Sequence, residues 1–566
     1  MSRIFAFAFL CCFCTLPAAQ SQVVVVPESP QIGSPNPITA EPLVPRPHAK
    51  PCTVQLFQNL EFADFSAKTF SYAPPASCPG PWTKVVFTAD FTVTAGRQFD
   101  RTAAFYLGHA NIYYGTTAEP SSAVSPSWHV ERDVTDLSAL FKSQQSGEAD
   151  LGNFVGVSGG VDYTGIIYAN AALEFYPASP FERVPATPDL VVPLPDAEGG
   201  AAALNAASSQ LSQSVTLPTN VERVYLDVIA QSQSNDEFWY TCVPNDVASE
   251  LQSCGNSGFR ETEISIDNQP AGVAPIYPWI YTGGIDPYLW RPIPGVQTLD
   301  FKPYRVDLTP FAGLLSDGQA HTVALGVYNA DNYFLVTANL LVYTDRRAHK
   351  VTGGILENTL ASAPTPSVKE ALQKDAAGNI TGTVAVTSAR SYKITGYLNT
   401  SHGRIETKVE AALGFANTQT FNITQTEYVQ GIVQSTTVDS KTTTGDGWLS
   451  QTTENKFSYP FTLTYSQIEN ADGSFDITTT SNQEDRLDEI QKWNRFDIFN
   501  SKLRNEVTSA DTLNFNASGA LTGHSKQASS QKYFDKDSSG YCYSRAITSA
   551  SGLLASVNDG AGCRSR

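Results

Sequence analysis

Val85, Phe87, Ala89, Phe91 and Val93 occupy every second position, with Lys84, Thr88, Asp90 and Thr92 between them. A period of two puts one set of side chains on each face of an extended strand. The pattern recurs at Val224, Leu226, Val228 and Ala230, at Val323, Leu325 and Val327, and at Phe457, Tyr459, Phe461, Leu463 and Tyr465. Such a chain folds as layered antiparallel sheets, each with one face packed and one wet. An all-β fold is predicted.

Two blocks share a loose order: an early strand, a polar loop with carboxylates, a capped turn, then late strands. The turns are Asp133-Val134-Thr135-Asp136-Leu137 and Asp307-Leu308-Thr309-Pro310-Phe311. We read two adjacent, jelly-roll-like antiparallel sandwiches, over 52–180 and 214–348, followed by a third β-rich region over 349–566. The total of 566 residues is too long for one core. Eight prolines between Pro27 and Pro51 predict a disordered arm over 22–51. The Pro/Ala/Gly-rich span 181–213 reads as a linker. Arg346-Arg347 is a candidate for cleavage by a dibasic protease into two associated chains, although an ordinary exposed pair is the more frequent meaning of such a dipeptide.

Arg3, the apolar run Ile4 to Leu16 and small residues up to Ser21 predict a signal peptide over 1–21. The run is too short to anchor in a membrane, and membrane insertion is not expected. Six cysteines follow it, and sequence proximity favours Cys52–Cys78, Cys242–Cys254 and Cys542–Cys563. None has metal-binding spacing, so no metal is expected. Sequons at Asn379, Asn399, Asn422 and Asn516 suit the same setting, a secreted protein or one in an acidic secretory compartment. The net charge of −18 argues against nucleic acid or an anionic membrane as partner.

The candidate chemistry is carried by acids beside aromatics. The first block holds Asp100, Arg101, Glu119, Trp128, His129 and Glu131. The second holds Asp236, Glu237 and Trp239, then Phe259-Arg260-Glu261, then Asp286, Trp290 and Arg291. Aromatic faces cover the apolar side of a pyranose, and carboxylates accept from its hydroxyls. Taken singly, each is more often a sandwich-edge residue. The sequence contains no nucleophile-elbow motif and no histidine pair at ligand spacing. Carboxylates, water and Arg or Trp donors are left to do chemistry without a cofactor. Asp100 is expected to stay ionised beside Arg101.

Cys78-Pro79-Gly80-Pro81-Trp82, Gly96-Arg97-Gln98-Phe99-Asp100-Arg101, Thr117-Ala118-Glu119-Pro120, Asn235-Asp236-Glu237-Phe238-Trp239-Tyr240 and Tyr281-Thr282-Gly283-Gly284 through Leu289-Trp290-Arg291-Pro292 resemble the plant and fungal peptide-N4-(N-acetyl-β-glucosaminyl)asparagine amidase A family. The likeness covers about residues 52 to 345. A fainter one reaches the bacterial peptide:N-glycosidases, through Phe99-Asp100-Arg101, Leu217-Pro218-Thr219-Asn220 and Phe259-Arg260.

The resemblance implies hydrolysis of the amide joining N-acetylglucosamine to asparagine, on N-glycosylated peptides and proteins. By it, Asp100 takes the primary catalytic role. A glutamate that precedes the Phe-Arg strand in the bacterial enzymes is missing here, where Asn256-Ser257-Gly258 stands. Asp236 or Glu237 is its substitute. We assign Arg101 to hold Asp100 ionised and Glu237 to hold a proton for the leaving nitrogen. Trp239 and Trp290 are expected as sugar platforms, and Glu119, His129, Asp236 and Arg291 as further substrate contacts. The rival readings are a secreted lectin-like sandwich without catalysis and a glycosidase using two carboxylates.

Overall fold

The structure is a computed structural model that describes residues 30–178 and 184–563. The expected signal peptide lies outside the described residues. The chain is built almost wholly of antiparallel strands in two sandwiches and one long sheet.

In the first sandwich, one sheet has the order Cys52–Phe62, Ile167–Pro177, Trp82–Val93, Ser127–Asp133. The other has Lys68–Tyr72, Gln145–Asp150, Thr102–Leu107, Ala110–Thr116. The alternating residues of Trp82–Val93 bury Val85, Phe87, Ala89, Phe91 and Val93 between these sheets. The second sandwich opposes a sheet on Val221–Ser232 and Phe334–Thr344 to one on His321–Val327 and Glu261–Ile266.

The two capped turns are the same device twice. Asp133 Oδ1 accepts from the Thr135 N–H at 3.0 Å, and Asp307 Oδ1 from the Thr309 N–H at 2.9 Å. Each threonine hydroxyl then accepts from an early strand, at Val85 N–H (3.0 Å) and Val224 N–H (3.3 Å).

Two expectations fail here. The span 181–213 is no linker. It contributes Leu190–Leu194, Ala202–Leu204 and Gln210–Val215 to the second sandwich, because Val191, Leu194, Leu204 and Leu211 have apolar layers to enter. The Pro-rich arm is packed from residue 30 onward, since its free main-chain groups find partners. Gly33 N–H donates to Leu554 O at 2.8 Å, Ile38 N–H to Pro292 O at 2.9 Å, and Ala40 N–H to Gln531 Oε1 at 2.6 Å. Arg46 then pairs with Glu131 and, at 3.2 Å, with Glu174 of the first sandwich.

The C-terminal region is one 11-stranded antiparallel sheet, a meander from Ile380–Thr400 onward, with Thr352–Asn358 and Ser367–Lys374 both paired to that strand. Its tight turns use glycine at positive φ, as at Gly473 (+80°) and Gly519 (+77°), where a side chain would be strained. All four sequon asparagines stand at or beside strand ends. The sheet shares a core with the second sandwich: Phe259 meets Phe415, Tyr240 meets Phe461 and Tyr277 meets Tyr459, with centroids 4.9, 4.9 and 5.0 Å apart. The cysteines pair as Cys52–Cys78, Cys242–Cys254 and Cys542–Cys563.

A polar seam locks the sandwiches together. Tyr113 Oη donates to Leu299 O at 2.6 Å, Thr116 N–H to Thr298 O at 2.9 Å, and Gln231 Nε2 to Thr102 Oγ1 at 3.0 Å.

Candidate functional site

Three acids converge at one end of that seam. Asp100 precedes the strand Thr102–Leu107 and Glu119 follows its partner Ala110–Thr116. Because Thr102 pairs with Thr116, the two acids emerge side by side. The hydrogen bonds continue past the strands, with Thr117 N–H on Arg101 O at 2.8 Å and Arg101 N–H on Thr117 Oγ1 at 2.9 Å. The third acid, Glu237, comes from the second sandwich, at the end of the turn Ser234–Asp236 beyond the strand Val221–Ser232.

Gly283 stands among them. Its N–H donates to Asp100 Oδ2 at 2.9 Å, and the Asp100 N–H points at Glu119 Oε2 at 3.3 Å. A Cβ on Gly283 would fall 2.1 Å from Glu119 Oε2 and 3.0 Å from Asp100 Oδ1. The glycine is what lets the two carboxyls close in. Its loop is anchored by Thr282 Oγ1 donating to Thr117 O at 2.7 Å, and by Trp290 Nε1 donating to Gly284 O at 3.0 Å.

The electrostatics follow from this crowding. Burial, then the charge of Asp100, push Glu119 up to about 7. The same two causes push Glu237 up to about 7. Burial also raises Asp100, and the Gly283 N–H and Arg101 only partly offset it. Asp100 opposes charge on both Glu119 and Glu237, so the cluster keeps protons well above the ordinary carboxylate range. Arg101 favours the charge on Asp100, as expected, but does not hold its carboxyl below the ordinary range. Desolvation outweighs it, and the guanidinium instead lies over the Phe99 ring, 5.6 Å from its centroid.

Other expected site residues are built into the frame. Trp239 is 1% exposed and Trp290 3% exposed, so neither can stack on a sugar. Asp236, 0% exposed, is saturated. Its Oδ1 takes Arg260 Nε and Nη2 at 3.0 and 2.9 Å, and its Oδ2 takes the N–H groups of Asp331 and Asn332 at 2.7 and 2.9 Å. Glu237 is therefore the acid that this loop offers to Asp100. His129 sits elsewhere, its ring nitrogens 2.7 Å from Asp90 and 3.0 Å from Glu131, in the network that holds the arm. Arg291 donates to Glu119 O at 2.8 Å and Pro120 O at 3.2 Å, which makes it a brace between the sandwiches.

Phe99 and Tyr163 are half-buried aromatics next to the acids, with centroids 5.1 Å apart, and Phe238 beside Glu237 is a third. Tyr163 belongs to the hairpin of Gly156–Ser158 and Val161–Tyr163, and contacts run on through Phe154 to the exposed Phe65. Sequence reasoning missed this trail and the Gly283 N–H. The only signal was the Gly283-Gly284 pair, which marks close approach of backbone to something else. Among the described residues, no group of three or more His, Cys, Asp and Glu is arranged to hold a metal ion. The arrangement provides ionisable acid and base partners, a fixed N–H donor and an aromatic wall at one spot.

Residues 42–361 match the family described as "Peptide N-acetyl-beta-D-glucosaminyl asparaginase amidase A". Over 543 residues the chain is 28% identical to the peptide-N4-(N-acetyl-beta-glucosaminyl)asparagine amidase A of Prunus dulcis, spanning 92% of this chain and 91% of that protein. Among solved structures, PNGF-II aligns with 52% of this chain and 66% of its own, at 12% identity and a TM-score of 0.36. PNGase F, a glycosylasparaginase from Flavobacterium meningosepticum, aligns with 52% and 96%, at 14% identity and a TM-score of 0.35.

Proposed function

We propose that this chain, which belongs to the peptide N-acetyl-beta-D-glucosaminyl asparaginase amidase A family, is an amidase that hydrolyses the bond between N-acetylglucosamine and the asparagine side chain of N-glycopeptides and N-glycoproteins. Water adds to the side-chain carbonyl, the C–N bond breaks, and the products are a peptide aspartate and a glycosylamine. The observation that carries the reading is the closure of Asp100 and Glu119 on Gly283 at the seam of two sandwiches, with Glu237 of the second sandwich close enough to feel the Asp100 charge.

Amide hydrolysis needs a base for the water and an acid for the nitrogen. Asp100 has the lowest intrinsic pKa of the three and two groups that favour its charge, the Gly283 N–H and Arg101. It is the carboxylate that takes the water proton. Glu237, at about 7, keeps its proton in acidic solution and gives it to the leaving nitrogen. Glu119 stays on the Asp100 side, steadied by Arg291 through its main chain. Phe99 and Tyr163 form the apolar wall for the sugar.

The three disulfides support a secreted protein or one in an acidic secretory compartment. Arg346, with a side chain 78% exposed, supports processing into two associated chains.

The test is mass spectrometry of a glycopeptide incubated in heavy-oxygen water. An amidase turns Asn into Asp and puts heavy oxygen in the new carboxylate. A glycosidase leaves the asparagine amide intact, and a lectin changes nothing. Asp100→Asn is expected to fold as the wild type and to lose at least ~10²-fold in kcat. Wild-type turnover by this variant would remove Asp100 from the mechanism.

A further inference from the structure

The loop that carries Gly283 and Arg291 rests on the C-terminal sheet through two acids. Asp286 and Asp511 are each 1% exposed. Asp286 uses Oδ1 to cap the turn Pro287–Trp290, accepting from the Tyr288 N–H at 2.9 Å. Asp511, on the strand Phe496–Phe515, has its Oδ1 3.0 Å from His524 Nδ1. The remaining oxygen of each, Oδ2, is buried without a partner among the described residues. The two carboxyls face one another across the contact between loop and sheet. Carboxylate oxygens only accept, so two bare carboxylates there would repel in a dry place. One proton between them gives a short, charge-assisted O–H···O bond and satisfies both orphan atoms.

The surroundings bind this pair to the site. His524, on the strand Leu521–Asp537, stacks on the Tyr288 ring with centroids 3.7 Å apart. The Arg291 guanidinium lies 4.8 Å from the same ring centroid. Gln527 Nε2 donates to Arg291 O at 2.8 Å. Arg291 in turn donates to the main chain at Glu119. The charged or titratable groups facing the pair are thus His524 from the neighbouring strand and Arg291 from the loop itself.

We propose that Asp511 and His524 are positioning residues for the hydrolytic site: a hydrogen bond from the protonated Asp286 carboxyl to Asp511 clamps residues 281–292 to the C-terminal sheet and so fixes the Gly283 N–H and Arg291 against Asp100 and Glu119. The catalytic consequence rests on the amidase reading, whereas the clamp does not. Burial, then Asp511, raise the Asp286 carboxyl to about 7, against the pull of the Tyr288 N–H and His524. A carboxyl raised in this way stabilises the closed loop fully at pH values below its ordinary range. That stabilisation is lost as pH climbs through about 7.

Backbone hydrogen exchange of the full chain at pH 5 and pH 8, corrected for intrinsic rates, tests the clamp. Peptides from residues 281–292 are compared with the central strand Trp82–Val93 as an internal reference. In the wild type, loop protection is expected to fall at least ~10-fold from pH 5 to pH 8 while the reference holds. Asp511→Asn supplies an amide N–H that donates to Asp286 without titrating, so its loop is expected to keep its protection at pH 8. At pH 5, Asp511→Ala is expected to lower kcat about tenfold with little change in KM, and Asp511→Asn to restore it. A wild-type loop equally protected at both pH values, or an Asp511→Asn loop that opens like the wild type, would overturn the clamp. A released loop with unchanged kcat would overturn the positioning role. Wild-type protein that cleaves no glycopeptide would instead strike the amidase reading, because the exchange readout needs no substrate.

Discussion

Gly283 lacks a side chain because two carboxyl oxygens occupy the place where one would go. Alanine there must push Glu119 away or shift the N–H off Asp100. Displacements near 1 Å at a reacting centre cost about 10²-fold, so Gly283→Ala is expected to lower kcat/KM by that amount while circular dichroism stays unchanged. The pH dependence follows from the same crowding. Glu119 and Glu237 have folded values near 7 against an ordinary 4.5. The folded protein therefore holds protons that the unfolded chain gives up, and their stabilising contribution fades as pH rises from about 4.5 through about 7. If Glu237 delivers the proton to nitrogen, kcat falls over the upper part of that window. Glu237→Gln is expected to be nearly inactive and also to flatten the fall in melting temperature between pH 5 and pH 8. A rate profile level through pH 7 would exclude the role. Asp100 and Glu237 were legible in the sequence as acids in matching motifs. That Asp236 is saturated by Arg260 and two main-chain N–H groups was not, since a buried ion pair and a free acid look alike until the fold is known.

At the scale of elements, alternation revealed most strands, and the two Asp-x-Thr turns revealed the duplication before any coordinates did. Irregular segments were the unreadable ones. The Pro-rich arm has no period, because it is held by single main-chain bonds and by one ion cluster. In that cluster, Arg46 joins Glu131 and Glu174, and Glu131 also receives Val44 N–H at 2.9 Å and lies 3.0 Å from His129. Both Arg46 and Glu131 side chains are mostly buried. Removing one partner of a buried pair leaves a charge uncompensated, at a cost of about 3–5 kcal/mol. Because His129 still faces Glu131, Arg46→Ala is expected at the lower end, ~3 kcal/mol in denaturant unfolding. A change under ~1 kcal/mol, the range of exposed pairs, would mean that the arm is not fastened there. Residues 181–213 misled for a related reason. Ala, Pro and Gly dominate the span, and its strands pair only with distant partners such as Phe334–Thr344.

Across the whole molecule, the C-terminal sheet is the floor of the second sandwich as well as its neighbour. Phe259, Tyr240 and Tyr277 bury their rings against Phe415, Phe461 and Tyr459, so a chain stopped at residue 348 would expose that aromatic layer to water. Arg346-Arg347 marks the point where the two parts join. Cys52–Cys78 and Cys242–Cys254 lie before it and Cys542–Cys563 after it, so none of these three disulfides crosses it. Cutting there in the folded protein breaks one peptide bond. It leaves the shared core, the hydrogen bonds from Ser401 to Asp345 at 2.6 and 2.9 Å, and the bond from Val351 N–H to Thr219 O at 2.8 Å. The nicked protein is therefore expected to elute as one species in size exclusion. It should separate in denaturant without any reductant, and keep at least half of the intact kcat. Expressed alone, residues 22–348 are expected to aggregate. Two fragments that part in native buffer, or a soluble and active 22–348, would show that the sheet is an appended module, and its acids at Asp511 would then have no hold on the hydrolytic loop.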